Sequence, residues 1–255
     1  MNYNNRTDLA IESIKDTDNL RGKGVTTKVI HDQIDIILTQ IITKEAESSL
    51  GRRRGKYYSL CVGEAWHYET DFKRKIAHSL AKTLKKLANI TGGKYTNLLV
   101  CGLGNKEITV DSLGTLVIES LSKKIKNEPI SLLLPGVKGI TGISSFNMVH
   151  ALTRELSPSL VIVIDSLISR ELWRLGTLIQ LTDTGITPGS GVSKHSRELS
   201  FSTLGIPVIA IGVPTVALVN KNVIDSELRV TPACIDSVLD ALAEIIANGI
   251  LDSFL

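Results

Sequence analysis

The chain has 255 residues, 43% of them hydrophobic and 22% charged, with a mean hydropathy of +0.15 and a formal net charge of +3; such a chain can bury a large core, which excludes disorder as its main state and suits a single α/β domain. Cys61, Cys101 and Cys234 are widely spaced and odd in number, which argues against a disulfide scaffold and for a reducing compartment. No apolar run approaches the roughly 18 residues of a membrane span, since Asp165 closes the longest strand-like run, and MNYNNRTDLAIES holds no signal-type stretch, so a cytosolic location is the expectation.

In chain order, residues 1–55 are polar and irregular, with a helix predicted over 34–48 and no compact unit. Positive charge gathers here: residues 1–95 carry 17 Lys or Arg against 11 acids, the remainder 12 against 15. Arg52, Arg53, Arg54 and Lys56 are the densest part, followed by Lys73, Arg74, Lys75, Lys82, Lys85 and Lys86. A basic face suits nucleic acid, yet KTLKKLA has the pattern of the wet side of an amphipathic helix, and that is the reading adopted. KYYSLCV then predicts a strand, and residues 71–88 a helix with Ile76, Leu80, Leu84 and Leu87 on one face. Strands are predicted at 98–101, 130–134, 160–164, 178–181 and 207–212, and helices at 112–126, 144–156 and 232–254, the last with Thr231 as N-cap and Pro232 in its first turn. Val, Ile and Leu runs without alternation are covered on both faces, which predicts a three-layer α/β fold around a mostly parallel sheet.

Ligands of open α/β sheets gather beyond the carboxyl ends of the strands. After LLVC comes GLGNKEITVDSLG, after SLLL comes PGVKGITGISS, after LVIVI comes Asp165, after LIQL comes TDTGITPGSG and after PVIAI comes GVPT. Five polar or glycine-rich exits on one edge point to a site. Gly102 and Gly104 lack the third glycine of a dinucleotide loop, since position 107 is Glu107. The five histidines show no metal-ligand spacing, so no metal and no cofactor is expected from spacing alone, and no GxSxG elbow or Cys–base pair occurs. Carboxylates remain. A buried acid at the end of an apolar strand, Asp165, is costly without a partner or a task. Asp111 opens a helix, whose N-terminus would favour its ionised form. Asp183-Thr184-Gly185 copies the tripeptide of pepsin-like proteases, which are all-β and need two copies. Each aspartate also has an ordinary explanation: N-cap, strand-end turn and Asx-turn respectively.

Together, Gly102-Leu103-Gly104-Asn105 with Thr109-Val110-Asp111-Ser112-Leu113-Gly114, the run Pro135-Gly136 through Gly142-Ile143, Ile164-Asp165-Ser166-Leu167, Asp183-Thr184-Gly185-Ile186 with Pro188-Gly189-Ser190-Gly191, and Leu204-Gly205-Ile206-Pro207 through Pro214-Thr215 closely resemble the spore germination protease family, in order and over nearly the whole chain. The resemblance implies an endopeptidase that degrades small acid-soluble spore proteins in the spore core, is made as a zymogen and assembles as a homotetramer. It implies no membrane and no specific nucleic-acid partner, and a fold similar to hydrogenase-maturation proteases and phosphorylases. The family's catalytic aspartates match Asp111 and Asp165; Asp183, Gly102, Gly104, Gly136, Gly142, Gly189 and Gly191 would shape the site. Thr7-Asp8-Leu9-Ala10 resembles both the maturation cut and the acidic-then-apolar motif cut in substrates, so cleavage is expected between Asp8 and Leu9, leaving residues 1–8 as a pro-segment and 9–255 as one peptidase domain with an irregular stretch over 9–55. Val110 stands where a proline is usual, and residues 220–228 form a shortened link.

Amide hydrolysis needs a base to activate water and an acid to protonate the leaving nitrogen, and two close carboxyls supply both when their titrations are pushed apart. Two rivals remain open from sequence: a metal-dependent maturation-type peptidase using the same acids, and a nonenzymatic DNA-associated spore protein using the basic N-terminal third.

Overall fold

The computed structural model describes residues 7–15, 24–90, 95–126, 128–189, 196–219 and 228–254. In chain order these form α1 (Ala10–Lys15), β1 (Val25–His31), β2 (Asp35–Ile41), α2 (Lys44–Leu50), β3 (Gly55–Cys61), α3 (Thr70–Ile90), β4 (Leu98–Gly102), α4 (Leu113–Lys124), β5 (Ile130–Leu133), α5 (Lys138–Thr141), α6 (Ser145–Leu156), β6 (Leu160–Ser169), β7 (Leu178–Thr182), α7 (Phe201–Leu204), β8 (Val208–Val219), β9 (Leu228–Val230) and α8 (Ile235–Phe254).

One sheet carries the fold, in the order β1-β2-β3-β7-β8-β6-β4-β5, with β9 on the far end of β8. The apolar runs of β6 and β8 place successive residues on opposite faces and both faces are covered. Ile162, Ile164, Ile209 and Ile211 join the larger core under α3, α4 and α8, while Val161, Val163 and Val208 pack with Leu99, Phe146 and Val149 under α6. In α3 the predicted stripe Ile76, Leu80, Leu84 and Leu87 is fully buried, and Lys75, Lys82, Lys85 and Lys86 are exposed on its opposite side. The α/β class and the helix layers on both faces are as the sequence implies. The sheet is mixed, however: β5, β4, β6 and β8 run parallel, and every other pairing is antiparallel.

The N-terminal stretch departs most from expectation. Residues 34–48 are not one helix: Asp35–Ile41 is a central strand between β1 and β3, and the helix is α2, capped by Thr43 accepting from the Ala46 N–H at 3.2 Å and closed by Gly51. DIILTQI is a short run whose helical and strand patterns are equally good, and two strand neighbours decide it. The region expected to be irregular over 9–55 thus contributes two strands and two helices. The last helix starts at Ile235 rather than Pro232, because the Thr231 hydroxyl donates to the Thr215 carbonyl at 2.9 Å instead of capping it. The strands expected at 160–164 and 207–212 continue to Ser169 and Val219, and these extensions build the site. Among the described residues no helix is long and apolar enough to cross a membrane.

Candidate active site

The turn bearing Asp111 is shaped by backbone before any side chain enters. At the exit of β4, Gly104 has a φ of +102°, and a Cβ there would lie 2.0 Å from the Asp111 carbonyl oxygen, so both the conformation and the close approach require glycine. The Asn105 N–H then donates to the Asp111 carbonyl at 3.1 Å and to its Oδ2 at 2.9 Å. Gly102 meets Gly114 backbone to backbone, where a Cβ would lie 2.2 Å from the Gly114 carbonyl, which seats the start of α4 directly on the strand end.

Asp165 lies in the extension of β6, 7% exposed, its Oδ1 accepting from the Ser166 N–H at 2.9 Å. It and Asp111 line one cavity of about 690 Å³, together with Asp8, Gly104, Gly189 and Thr215. Lys138, Arg197 and Arg229 line it too. Burial pushes the Asp165 carboxyl well above the usual carboxylate range, and the charges of Asp111 and Asp8 push it the same way. Asp111 is also raised, by burial, against the pull of the Asn105 N–H. The expectation that a helix N-terminus leaves Asp111 readily ionised is corrected accordingly: Asp111 closes a 3-10 turn, Thr109–Asp111, ahead of α4, and desolvation outweighs what favours its charge.

The segment around Asp8 lies against this cavity. The Asp8 N–H donates to the Ile168 carbonyl, and the Ile168 N–H to Asp8 Oδ2. Gln180 brackets the next residue, its Nε2 donating to the Asp8 carbonyl at 3.1 Å and its Oε1 accepting from the Ala10 N–H at 2.8 Å. Gln180 and Asp165 are both register partners of Gly212, so bracket and acid share one cross-strand row and one face. Leu9 is fully buried against Leu167 and Leu178, with Ile11 and Ile186 alongside. Asp8 also lines a second cavity of about 360 Å³ with Arg52, Gln180 and Glu198.

Further along, fully buried Glu12 accepts from the Ser169 hydroxyl at 2.6 Å and the Arg170 N–H at 2.8 Å, and pairs with Arg174 at 3.3 Å. Arg52, which sequence reading left on a solvated basic run, donates to the Ser13 hydroxyl and the Thr7 carbonyl. Charge patterning has no signal for this, because the partners are distant along the chain.

Asp183 is turned away from the acids: its Oδ1 accepts from the Lys56 N–H at 2.8 Å, and it lines neither cavity. Gly136 and Gly142 flank α5, whose Lys138 and Gly139 line the larger cavity. Gly191 and residues 1–6 lie outside the described residues, as does most of the 220–228 link. Gln180, Arg197 and Arg229 were not singled out by sequence, and Thr215 stood there only as the last residue of a matched motif, its place on the extension of β8 being the signal that marks it. Among the described residues no three His, Cys, Asp or Glu side chains converge as metal ligands.

Comparison with known proteins places the chain in a family. A family model described as germination protease matches residues 5–226. The germination protease of Clostridium perfringens is 32% identical over 308 aligned positions, covering 97% of this chain and 94% of that protein; that of Clostridium tetani is 33% identical, covering 96% and 94%. The germination protease of a Geobacillus species is 38% identical over 84% of this chain and 64% of its own length. Among solved structures, the [NiFe] hydrogenase maturation protease HycI of Thermococcus kodakarensis matches with a TM-score of 0.44 and 22% identity, over 65% of this chain and 99% of that one.

Proposed function

The chain belongs to the germination protease family, and on that premise we propose that it is an endopeptidase of the aspartic type whose reacting pair is Asp111 and Asp165. The observation that carries the reading is their convergence: two acids 54 residues apart in sequence line one cavity, and the charge of Asp111 helps push the Asp165 carboxyl up. Like charges in a desolvated site do not ionise together, so the pair holds one proton over a wide pH interval. Asp165, raised the more, keeps it. Ionised Asp111 takes a proton from water as that water adds to the scissile carbonyl; Asp165 gives its proton to the departing amide nitrogen, and the C–N bond breaks to an acid and an amine.

The substrates we assign are small acid-soluble spore proteins, cut in the spore core after an acidic and before an apolar residue. The chain's own Thr7-Asp8-Leu9-Ala10 has that character, and the burial of Leu9 among Leu167, Leu178 and Ile186 supports an apolar subsite after the bond. We extend the proposal to self-processing between Asp8 and Leu9 and to a homotetramer. The test is incubation of purified protein with a small acid-soluble spore protein, comparing the wild type with Asp111→Asn and Asp165→Asn, with and without chelator. Cleavage by the wild type in both conditions and by neither variant is expected; full activity in Asp165→Asn overturns the mechanism, and loss in chelator restored by one metal replaces it with a metal-dependent one.

A further inference from the structure

β8 carries one residue more than the strand beside it. It runs in step with β6 from Val208 opposite Val161 to Pro214 opposite Leu167, and resumes with Val216 opposite Ile168, so Thr215 has no opposite number. An inserted residue of this kind bends its strand and re-aims a side chain, and bulges concentrate beside active sites for that reason. Here the bulge falls three residues past Gly212, the register partner of Asp165.

The re-aimed side chain reaches the other acid's turn. Thr215 is 1% exposed and lines the larger cavity, and its hydroxyl donates to the Val110 carbonyl, one residue before Asp111, at 2.7 Å. The bulge is itself pinned: the Thr215 carbonyl accepts from the Thr231 hydroxyl at 2.9 Å, and the Pro214 carbonyl from the Gly176 N–H at 2.8 Å. The other ties on this stretch reach β4 and β6: the Asn105 N–H holds Asp111 beside the exit of β4, and the Leu103 N–H donates to the Ile164 carbonyl at 2.8 Å; Thr215 supplies the link to β8.

We propose that Thr215 is the positioning residue of the acid pair, its hydroxyl fixing the Asp111 turn against the strands that carry Asp165 and so setting the separation of the two carboxyls. The inference rests on Asp111 and Asp165 being the reacting pair. Geometry of this kind matters because a displacement of about 1 Å at a reacting group costs on the order of 100-fold in rate. A half-buried carbonyl accepting one short hydroxyl bond is held in one place, whereas a methyl in place of that hydroxyl removes this donor from the Val110 carbonyl and leaves the turn free to relax. The two carboxyls then move apart, and the charge of Asp111 acts less on Asp165. The charged groups facing Asp165 across this cavity are Asp111 and Asp8, with Lys138, Arg197 and Arg229 on its other walls.

The experiment compares full-length wild type with Thr215→Val, which keeps the shape, and Thr215→Ser, which keeps the hydroxyl; Thr215→Ala serves where valine is not accommodated. Two readouts are taken: carbon-13 NMR titration of carboxyl-labelled aspartates, and kcat and KM on a small acid-soluble spore protein. The expected result for Thr215→Val is a kcat lower by about 10- to 100-fold with KM held within about twofold, an Asp165 titration moved down toward the ordinary carboxylate range, and recovery of both in Thr215→Ser. An unmoved Asp165 titration in Thr215→Val overturns the proposal, and so does a serine variant as impaired as the valine one, which makes the methyl group rather than the hydroxyl responsible. Full activity in Asp165→Asn sinks the catalytic assignment instead, and the titration still decides whether Thr215 sets the separation.

Discussion

Asp8 and Ile168 exchange a reciprocal pair of hydrogen bonds, the Asp8 N–H to the Ile168 carbonyl and the Ile168 N–H to the Asp8 carboxylate, each at 2.8 Å. Ile168 lies beyond the last residue of β6 that pairs with β4, so residue 8 lies along strand backbone that β4 has ceased to cover. A peptide docked this way gains one main-chain bond whatever its sequence, while the second bond requires an acid at this position and so helps choose the register. Processing between Asp8 and Leu9 is the expected consequence, and Leu9→Glu, which forces a charge among Leu167, Leu178 and Ile186, should abolish it. Mass spectrometry of the matured chain reads both; a product still carrying residues 1–9 counts against the site.

The acid pair predicts a bell-shaped pH profile. Activity needs Asp111 ionised and Asp165 protonated. Rate therefore rises with pH through the raised titration of Asp111 and falls through the still higher one of Asp165. Both limbs belong to the coupled pair rather than to either residue alone. Asp111→Asn or Asp165→Asn should lower kcat/KM by at least about 100-fold while leaving the circular dichroism spectrum unchanged; a falling limb confined to the ordinary carboxylate range would exclude Asp165 as the acid.

Replacing Asp165 should move stability the opposite way to activity. The folded titration of Asp165 is raised above its unfolded one, so its contribution to stability is fully present at low pH and is lost as pH rises through the folded value. Asp165→Asn, which cannot ionise, should match the wild type at acid pH and exceed it in Tm increasingly as pH rises. Thermal scans across pH test this, and a Tm gap independent of pH would mean that Asp165 carries no burial penalty.

Glu12 anchors the segment that follows the proposed cut. Glu12→Ala leaves buried Arg174 with Glu171, at 3.0 Å, as its acidic partner among the described residues, and should cost about 3 kcal/mol in denaturant unfolding, with undocking of the N-terminal segment as the ceiling. Faster hydrogen exchange at the Ala10 N–H, which Gln180 holds, should accompany it.

Gly104→Ala tests the Asp111 turn from the backbone side. A Cβ 2.0 Å from the Asp111 carbonyl at a φ of +102° forces the turn to shift, at about 1–3 kcal/mol of stability and about 100-fold in kcat/KM. Unchanged kinetics would show that Asp111 tolerates displacement.

Much of this was legible in the residues. Five apolar runs gave five strands because unbroken Val, Ile and Leu admit few other solutions once both faces are covered, and the order of the glycine- and aspartate-bearing exits identified the family. Three features were not. The strand Asp35–Ile41 looked helical because a short amphipathic run satisfies either period, and only its neighbours on both sides choose. Asp183, expected to help shape the site, accepts from the Lys56 N–H and lines neither cavity. Arg52 looked like a solvated charge and nothing marked Glu12, since their partners lie elsewhere in the chain.

Local chemistry along the chain determined which residues could turn, which had to be buried and which acids stood at strand ends. Convergence was left to the tertiary structure: Asp111 and Asp165 face one cavity, Asp8 lies on Ile168, and Thr215 reaches Val110 because sheet order and a single inserted residue in β8 bring them together. Those relationships depend on pairing between distant segments, and pairing across distance leaves no periodic trace in a sequence.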